Sequence, residues 1–125
     1  MRIELRTTSH TEMIDITDRV RTEIEGAGDG LCHVYVPHTT AAVVINESAD
    51  PDVARDLLAA YAAMIPPLRF AHAEGNSDAH LMATLLGASV TVPVEQGRLA
   101  LGTWQGIFFV ELDGPRSRNV VVSLH

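Results

Sequence analysis

Three histidines in separate segments, His38, His72 and His80, are the side chains of this sequence best suited to chemistry. A neutral imidazole is the commonest metal ligand, and it titrates near neutral pH. Two of the three stand in the nine-residue run from His72 to His80, which also holds Glu74, Asn76, Ser77 and Asp78, split by Gly75. Ser77 is predicted to cap a helix, which places His80 in the first turn. The positive helix end there disfavours imidazolium and keeps the ring neutral, as a metal ligand must be. Asp78 falls in the same turn, as a further ligand, an orienting partner or a base. A polar, well-capped helix start accounts for Asn76, Ser77 and Asp78 without any chemistry. It does not account for His72 together with His80.

His38 lies at the end of a predicted strand on the same face as Cys32, Val34 and Val36. That face reads as inward, so a hydrogen-bonded histidine at the core edge is the plain interpretation. Pro37 before it and Thr39-Thr40 after it make a corner that presents backbone N–H groups and hydroxyls, which favours a site with Thr39 as a ligand contact. Three histidines from separate segments, with water in an open position, would form a catalytic type of zinc site. Cys32 is the only cysteine, so a structural cysteine–zinc knot and an internal disulfide are both excluded. Zn²⁺ is the first expectation from imidazole ligands, although nickel, iron or manganese suit such a donor set too.

Glu111 shares strand parity with Ile107 and Phe109, which points a carboxylate at an apolar face. Such a group needs a partner, so it is expected to meet a cation, a metal-bound water or a ligand amine and to serve as a proton carrier. Glu47 after Asn46 is the second candidate base, or simply part of a polar approach to a helix. Trp104 and Gln105 follow Gly102 at a corner, where a Trp is a core or interface anchor or a stacking platform. Arg98, and Arg116 with Arg118, are candidate phosphate grips or solvated loop charges. His10 and His125 carry no signal, and His33 falls on the strand face opposite His38.

The elements that must position these groups follow from periodicity. Strands are predicted at Ile3 to Thr7, Met13 to Ile16, Leu31 to Val36, Ala41 to Ile45, Ser89 to Val94, Arg98 to Leu101, Ile107 to Leu112 and Asn119 to Leu124. The Ala41 strand is expected to be the hairpin partner of the Leu31 strand across the His38 corner. Helices are predicted after Thr17, after Asp50-Pro51 and from Ser77 to Gly87. Phe108 and Phe109 are adjacent, so both faces of their strand are apolar, which fits a two-layer core or a subunit interface. The fold class is therefore α+β, one domain over residues 1–125, a mainly antiparallel two-sheet sandwich with two to three helices.

A net charge of −7 and the absence of a basic stripe argue against a nucleic-acid partner. Hydrophobic residues make up 46% and charged residues 20%, a globular balance. No apolar run reaches membrane-spanning length, the N-terminus lacks a signal-peptide core, and a lone cysteine fits a reducing compartment; the cytoplasm is expected.

The nineteen residues SVTVPVEQGRLALGTWQGI, from Ser89 to Ile107, set a strand, a Gly turn, a second strand and a Gly-Thr-Trp-Gln corner in fixed order. With HTTAAVVINESADPDV, HAEGNSDAHLMATLLGASV and FFVELDGPRSRNVVV, they resemble the YjbQ-like family, also described as the secondary thiamine-phosphate synthase enzyme family. The resemblance spans nearly the whole chain. It implies a small α+β fold of two packed sheets, and a homotrimer with polar sites between subunits, with the strand from Gln105 to Leu112 at or near the interface. It implies that His38, His72 and His80 form a metal pocket, and that Asn46, Glu47, Asn76 and Gly102 to Gln105 are motif positions.

The implied activity joins a pyrimidine diphosphate to a thiazole phosphate, chemistry usually run with Mg²⁺ and basic phosphate grips. This acidic chain has few such grips. The expectation is thus a metal-dependent enzyme acting on a phosphorylated small molecule, a transferase or hydrolase for which thiamine-phosphate synthesis is a weak activity. The alternative is a trimeric metal- or metabolite-binding module without turnover.

Overall fold

The computed structural model describes all 125 residues. In chain order the elements are β1 (Arg2–Arg6), β2 (Glu12–Asp15), α1 (Thr17–Glu23), β3 (Gly30–Tyr35), β4 (Ala41–Glu47), α2 (Pro51–Ala63), α3 (Ser77–Leu86), β5 (Ser89–Glu95), β6 (Arg98–Leu99), β7 (Gln105–Glu111) and β8 (Ser117–Leu124). The strands form a five-stranded sheet in the order β1-β8-β3-β5-β6 and a three-stranded sheet in the order β2-β7-β4. All ladders are antiparallel. The fold is α+β with three helices and two antiparallel sheets.

Alternation in the strands builds the core. Ile3 and Leu5 of β1, Val34 of β3, Val92 of β5 and Val120 of β8 turn inward from the large sheet, and Val43, Ile107 and Phe109 meet them from the small one. The other face of the small sheet is not bare: Ala42, Val110 and Leu112 pack under Ala79, Met82 and Ala83 of α3. β7 is the central strand of its sheet, and its residues from Gly106 to Glu111 are all buried within this one chain. The double apolarity of Phe108-Phe109 is thus met by a sheet below and helices above, and needs no second subunit.

Three expectations shift. β4 is not the hairpin partner of β3: it pairs with β7 in the other sheet, while β3 lies between β5 and β8. The corner from Pro37 to Thr40 carries the chain between sheets, so that Val34 and Val43 bury against the same core instead of lying side by side. Thr17 is the first residue of α1 instead of its cap; its hydroxyl bonds Asp15 and accepts the Ile107 N–H. Asn76, not Ser77, precedes α3. α2 behaves as read, with Asp50 accepting the Asp52 N–H and Pro51 in the first turn, yet none of its residues is buried. β5 and β6 are joined by Gln96 and Gly97, both at positive φ, a two-residue turn that suits glycine.

Candidate functional site

The corner after β3, the loop before α3, the first turn of α3 and the start of β8 enclose one open cleft of about 460 Å³. His38, Thr39, His72, Asn76 and His80 all line it, joined by Thr40, Glu74, Arg116 and Arg118, and no hydrophobic side chain contributes to its wall. Five expected site residues from distant parts of the chain therefore meet.

His38 does more than face the cleft. β3 pairs with β8 only from Tyr35 and Val121 onward, so the Asn119 N–H has no strand partner on that side. The His38 Nε2 accepts it at 3.0 Å, extending the ladder by a side chain. The ring must then carry its proton on Nδ1. Burial first, and then the Arg118 charge, hold its pKa below the ordinary histidine value, against a weaker pull from Glu111. Because an imidazolium has no lone pair for the Asn119 N–H, that bond also favours the neutral ring.

Beneath the cleft lies a closed polar network. Glu111 is fully buried and ion-paired with Arg118, whose Nε donates to Oε2 at 2.8 Å. The same carboxylate accepts from the Thr7 hydroxyl at 2.8 Å and from the Leu112 and Asp113 N–H groups at 3.0 Å. The Arg118 Nη2 also donates to the Thr40 carbonyl and hydroxyl, while Nη1 has no partner in the chain. Burial alone would raise the Glu111 pKa, but the bonds from Arg118, the Asp113 N–H and Thr7 outweigh it and hold the carboxyl below its usual range. The cation expected opposite Glu111 is present, and it is Arg118. The pairing occupies the Glu111 carboxylate, which is placed to orient Arg118 and the corner at Thr40, not to carry a proton at the cleft.

Asp113 forms a second, shallower layer. It takes the Asn76 amide at 2.9 Å and Arg116 at 2.8 Å. Burial opposes its charge, and the bonds from Asn76 and Arg116 hold its pKa below the ordinary value. Arg116 remains half exposed and is the guanidinium that the cleft can offer a ligand. The Asn76 Oδ1 is buried without a partner.

The donor set permits a partial fit to a metal. The His72 and His80 rings stand edge to face with centroids 5.4 Å apart. Two imidazoles on one tetrahedral Zn²⁺, with Zn–N of about 2.0–2.1 Å, have centroids roughly 5 Å apart, so this pair fits. His38 fits by type and not by present posture, since its Nε2 lone pair is taken by Asn119. No three His, Cys, Asp or Glu side chains stand arranged around a common ion position.

The remaining expectations fall elsewhere. Asp78 faces away from His80, into a groove on the other side of α3. Residues two apart on a helix point about 200° apart, so the sequence itself carried this signal. Glu47 pairs with Gln105 at the opposite end of the small sheet, and Trp104 stands beside them at the corner. Gln105 closes that corner by accepting the Gly102 N–H at 2.8 Å. From there to the Ala41–Glu111 pair is six residue steps, about 20 Å of strand. Arg98 lies with Asp29 and Glu95 at the outer edge of the large sheet, a setting that disfavours phosphate. Thr7 was missed, although its parity with Ile3 and Leu5 marks it as an inward polar group able to serve Glu111.

The comparisons with known proteins agree with the whole-chain likeness. A family model described as UPF0047 protein YjbQ-like matches residues 1–125. A UPF0047 protein of Archaeoglobus fulgidus is 50% identical over 125 residues, covering 98% of each chain. The UPF0047 protein YugU of Bacillus subtilis is 45% identical over 126 residues, covering 98% of this chain and 96% of that one. Among solved structures, an uncharacterized conserved protein of the same family from Clostridium acetobutylicum superposes with a TM-score of 0.96 at 45% identity, over 100% of this chain and 99% of that chain. No helix here is long and apolar enough to cross a membrane.

Proposed function

The chain belongs to the YjbQ-like UPF0047 family, and we propose that it is a metal-dependent enzyme acting on a phosphorylated small molecule in the cleft of His38, His72 and His80. One observation carries this: His38 meets His72 and His80, the two histidines of a separate run, in a cleft walled almost wholly by polar side chains. Structural polarity would not require that convergence.

In this proposal His72 and His80 hold a divalent metal, Zn²⁺ by preference, and His38 joins by releasing Asn119. Leaving that N–H unpaired costs about 1–3 kcal/mol, small beside the roughly 10–16 kcal/mol known for tight zinc sites. When bound, Zn²⁺ would polarise a substrate oxygen or activate water. Arg116 takes the phosphate, Thr39 and Asn76 orient the rest of the substrate, and Glu74 moves the proton. Glu74 is the one carboxylate in the cleft wall. Arg118 is largely buried and commits Nε and Nη2 to Glu111 and Thr40, so Arg116 is the cleft's half-exposed guanidinium. Joining a pyrimidine diphosphate to a thiazole phosphate brings together two phosphorylated reactants. One grip supports that reaction, with Mg²⁺ as its metal, only as a weak activity beside a main reaction on a single phosphorylated substrate.

The working form is a cytoplasmic homotrimer. What supports assembly is no longer β7 but the Trp104 corner, where the indole is 63% exposed next to Glu47 and Gln105. A large exposed aromatic at a rigid corner is a typical interface anchor. Full engagement of Glu111 favours a second reading, a trimer that binds metal or metabolite without turnover.

Turnover by the zinc-loaded protein on a panel of phosphorylated small molecules, including the paired pyrimidine and thiazole phosphates, separates the two. Turnover lost in Glu74→Gln, with metal content unchanged, supports the enzyme. No turnover on any of them by fully metallated protein leaves the binding module.

A further inference from the structure

On the far side of α3 from the histidine cleft lies a groove of about 240 Å³. We propose that it is a second small-molecule site, taking one apolar ring or short aliphatic chain that carries an ammonium group. Leu58, Tyr61 and Ile65 form one wall and Met82 with Leu112 the other, while Asp78 and His10 stand among the polar lining. A cavity of roughly 150 Å³ lined by apolar side chains already admits benzene, so a single ring fits here with room for a head group.

Four observations point to an occupant. α2 buries none of its residues, and its inward-facing Leu58 and Tyr61, with Ile65 just beyond its end, are only partly covered against the outer core. The helix is underpacked where the groove lies, so a ligand would remove apolar surface that the chain leaves wet. Asp78 is half-buried in the groove wall and has neither an ion pair nor a hydrogen bond in the chain, whereas Asp18, Asp52 and Asp113 are all paired with arginines. A first-turn aspartate suits the helix end, but that role alone does not require a place in an apolar wall. His10 is held beside the groove by the Gly114 carbonyl at 3.3 Å. The Tyr61 phenol, whose pKa burial pushes up, stays neutral and also lacks a partner in the chain. An apolar slot with a few converging polar groups is the usual form of a ligand site, and an unpaired carboxylate in a chain of net charge −7 selects a cation.

The site stands apart from the proposed reaction, and its test uses a probe that the histidine cleft has no reason to bind. Full-length protein labelled at methyl groups is titrated with benzylamine, benzyl alcohol and benzoate while the Met82, Leu58 and Ile65 signals are followed by NMR. Benzylamine should give saturable shifts at these methyls, benzyl alcohol should bind about tenfold more weakly, and benzoate should not bind. Asp78→Asn should bring benzylamine down to the level of the alcohol, Ala62→Phe should fill the groove and abolish binding, and His80→Ala should change nothing. Equal binding of benzoate and benzylamine, or no saturable shift at Met82 at millimolar probe, overturns the proposal. So do Met82 shifts that track protein concentration without any probe, since a second copy would then occupy the groove. The three probes compared on the unaltered protein decide the matter even if a variant fails to fold.

Discussion

The two ends of the β4–β7 ladder invite comparison. At the Ala41–Glu111 end, the buried charges and their neighbours are tied down: Glu111 to Arg118, Asp113 to Arg116 and Asn76, His38 to Asn119. At the Glu47–Gln105 end the chain turns a tight corner and leaves Trp104 in solvent. The first end is preorganised inside one protomer, because buried charges are tolerated only when fully paired. The second has its backbone fixed and its largest side chain unpartnered. Polar pairing builds a cleft; an exposed aromatic offers a contact. The motif residues at the Trp104 corner therefore do not act on the histidine cleft of their own chain.

The difference is sharpened most by cutting the ion pair. Arg118→Ala leaves Glu111 charged and buried, and should lower unfolding free energy by about 3–5 kcal/mol in urea titrations. Replacing both partners, as Glu111→Leu with Arg118→Met, should recover most of that loss. If Arg118→Ala is as stable as the parent, the preorganised end is misjudged.

At the other end the sensitive point is backbone. A Cβ on Gly106 would meet the Ser48 Cβ at 2.6 Å and the Thr17 hydroxyl at 3.1 Å. Gly106→Ala should therefore cost about 1–3 kcal/mol, read from the same titrations. Trp104→Ala should shift monomer unfolding by no more than about 0.5 kcal/mol, while lowering the assembly mass in light scattering. A large loss of monomer stability would make Trp104 a core residue and erase the contrast.

The preorganised end should also govern the response to acid. Glu111 and Asp113 have folded pKa values below their unfolded ones, so their stabilisation is complete above about pH 4 and is lost as pH falls through the folded values. His38 is likewise depressed, which favours the neutral ring in the fold. Its contribution is full above about pH 6.5 and declines below that, toward the folded value. Urea midpoints should therefore fall gently below pH 6.5 and steeply below pH 4. His38→Gln, which keeps an acceptor for Asn119, should remove only the gentle decline.

Much of this was legible in the chain. Alternation located the strands and the inward carboxylate of Glu111, and Gly87 marked a helix end. Strand partners were not legible: the pattern of β4 says which face is buried, not which strand lies beside it, so its pairing with β7 needed the whole core. His72 with His80 was visible as residue type and spacing, whereas their meeting with His38 was implied by the family resemblance. The bond from Asn119 to His38 spans 81 positions and depends on where β3 stops, which no local signal records. Asp78 was assigned to the wrong side of a helix whose own geometry separates it from His80. The two apolar faces of Phe108-Phe109 did not by themselves require an interface, because α3 covers the face that sequence alone left open.

The central claim is that the histidine cleft, not the Trp104 end, is the reactive site. Titration of metal-stripped protein with Zn²⁺, followed through the histidine ring protons by NMR, tests it most directly. One equivalent per chain should move His72 and His80 together, and His38 with loss of the Asn119 amide bond, while His33 and His125 stay still. One equivalent bound with His72 and His80 unmoved would contradict it.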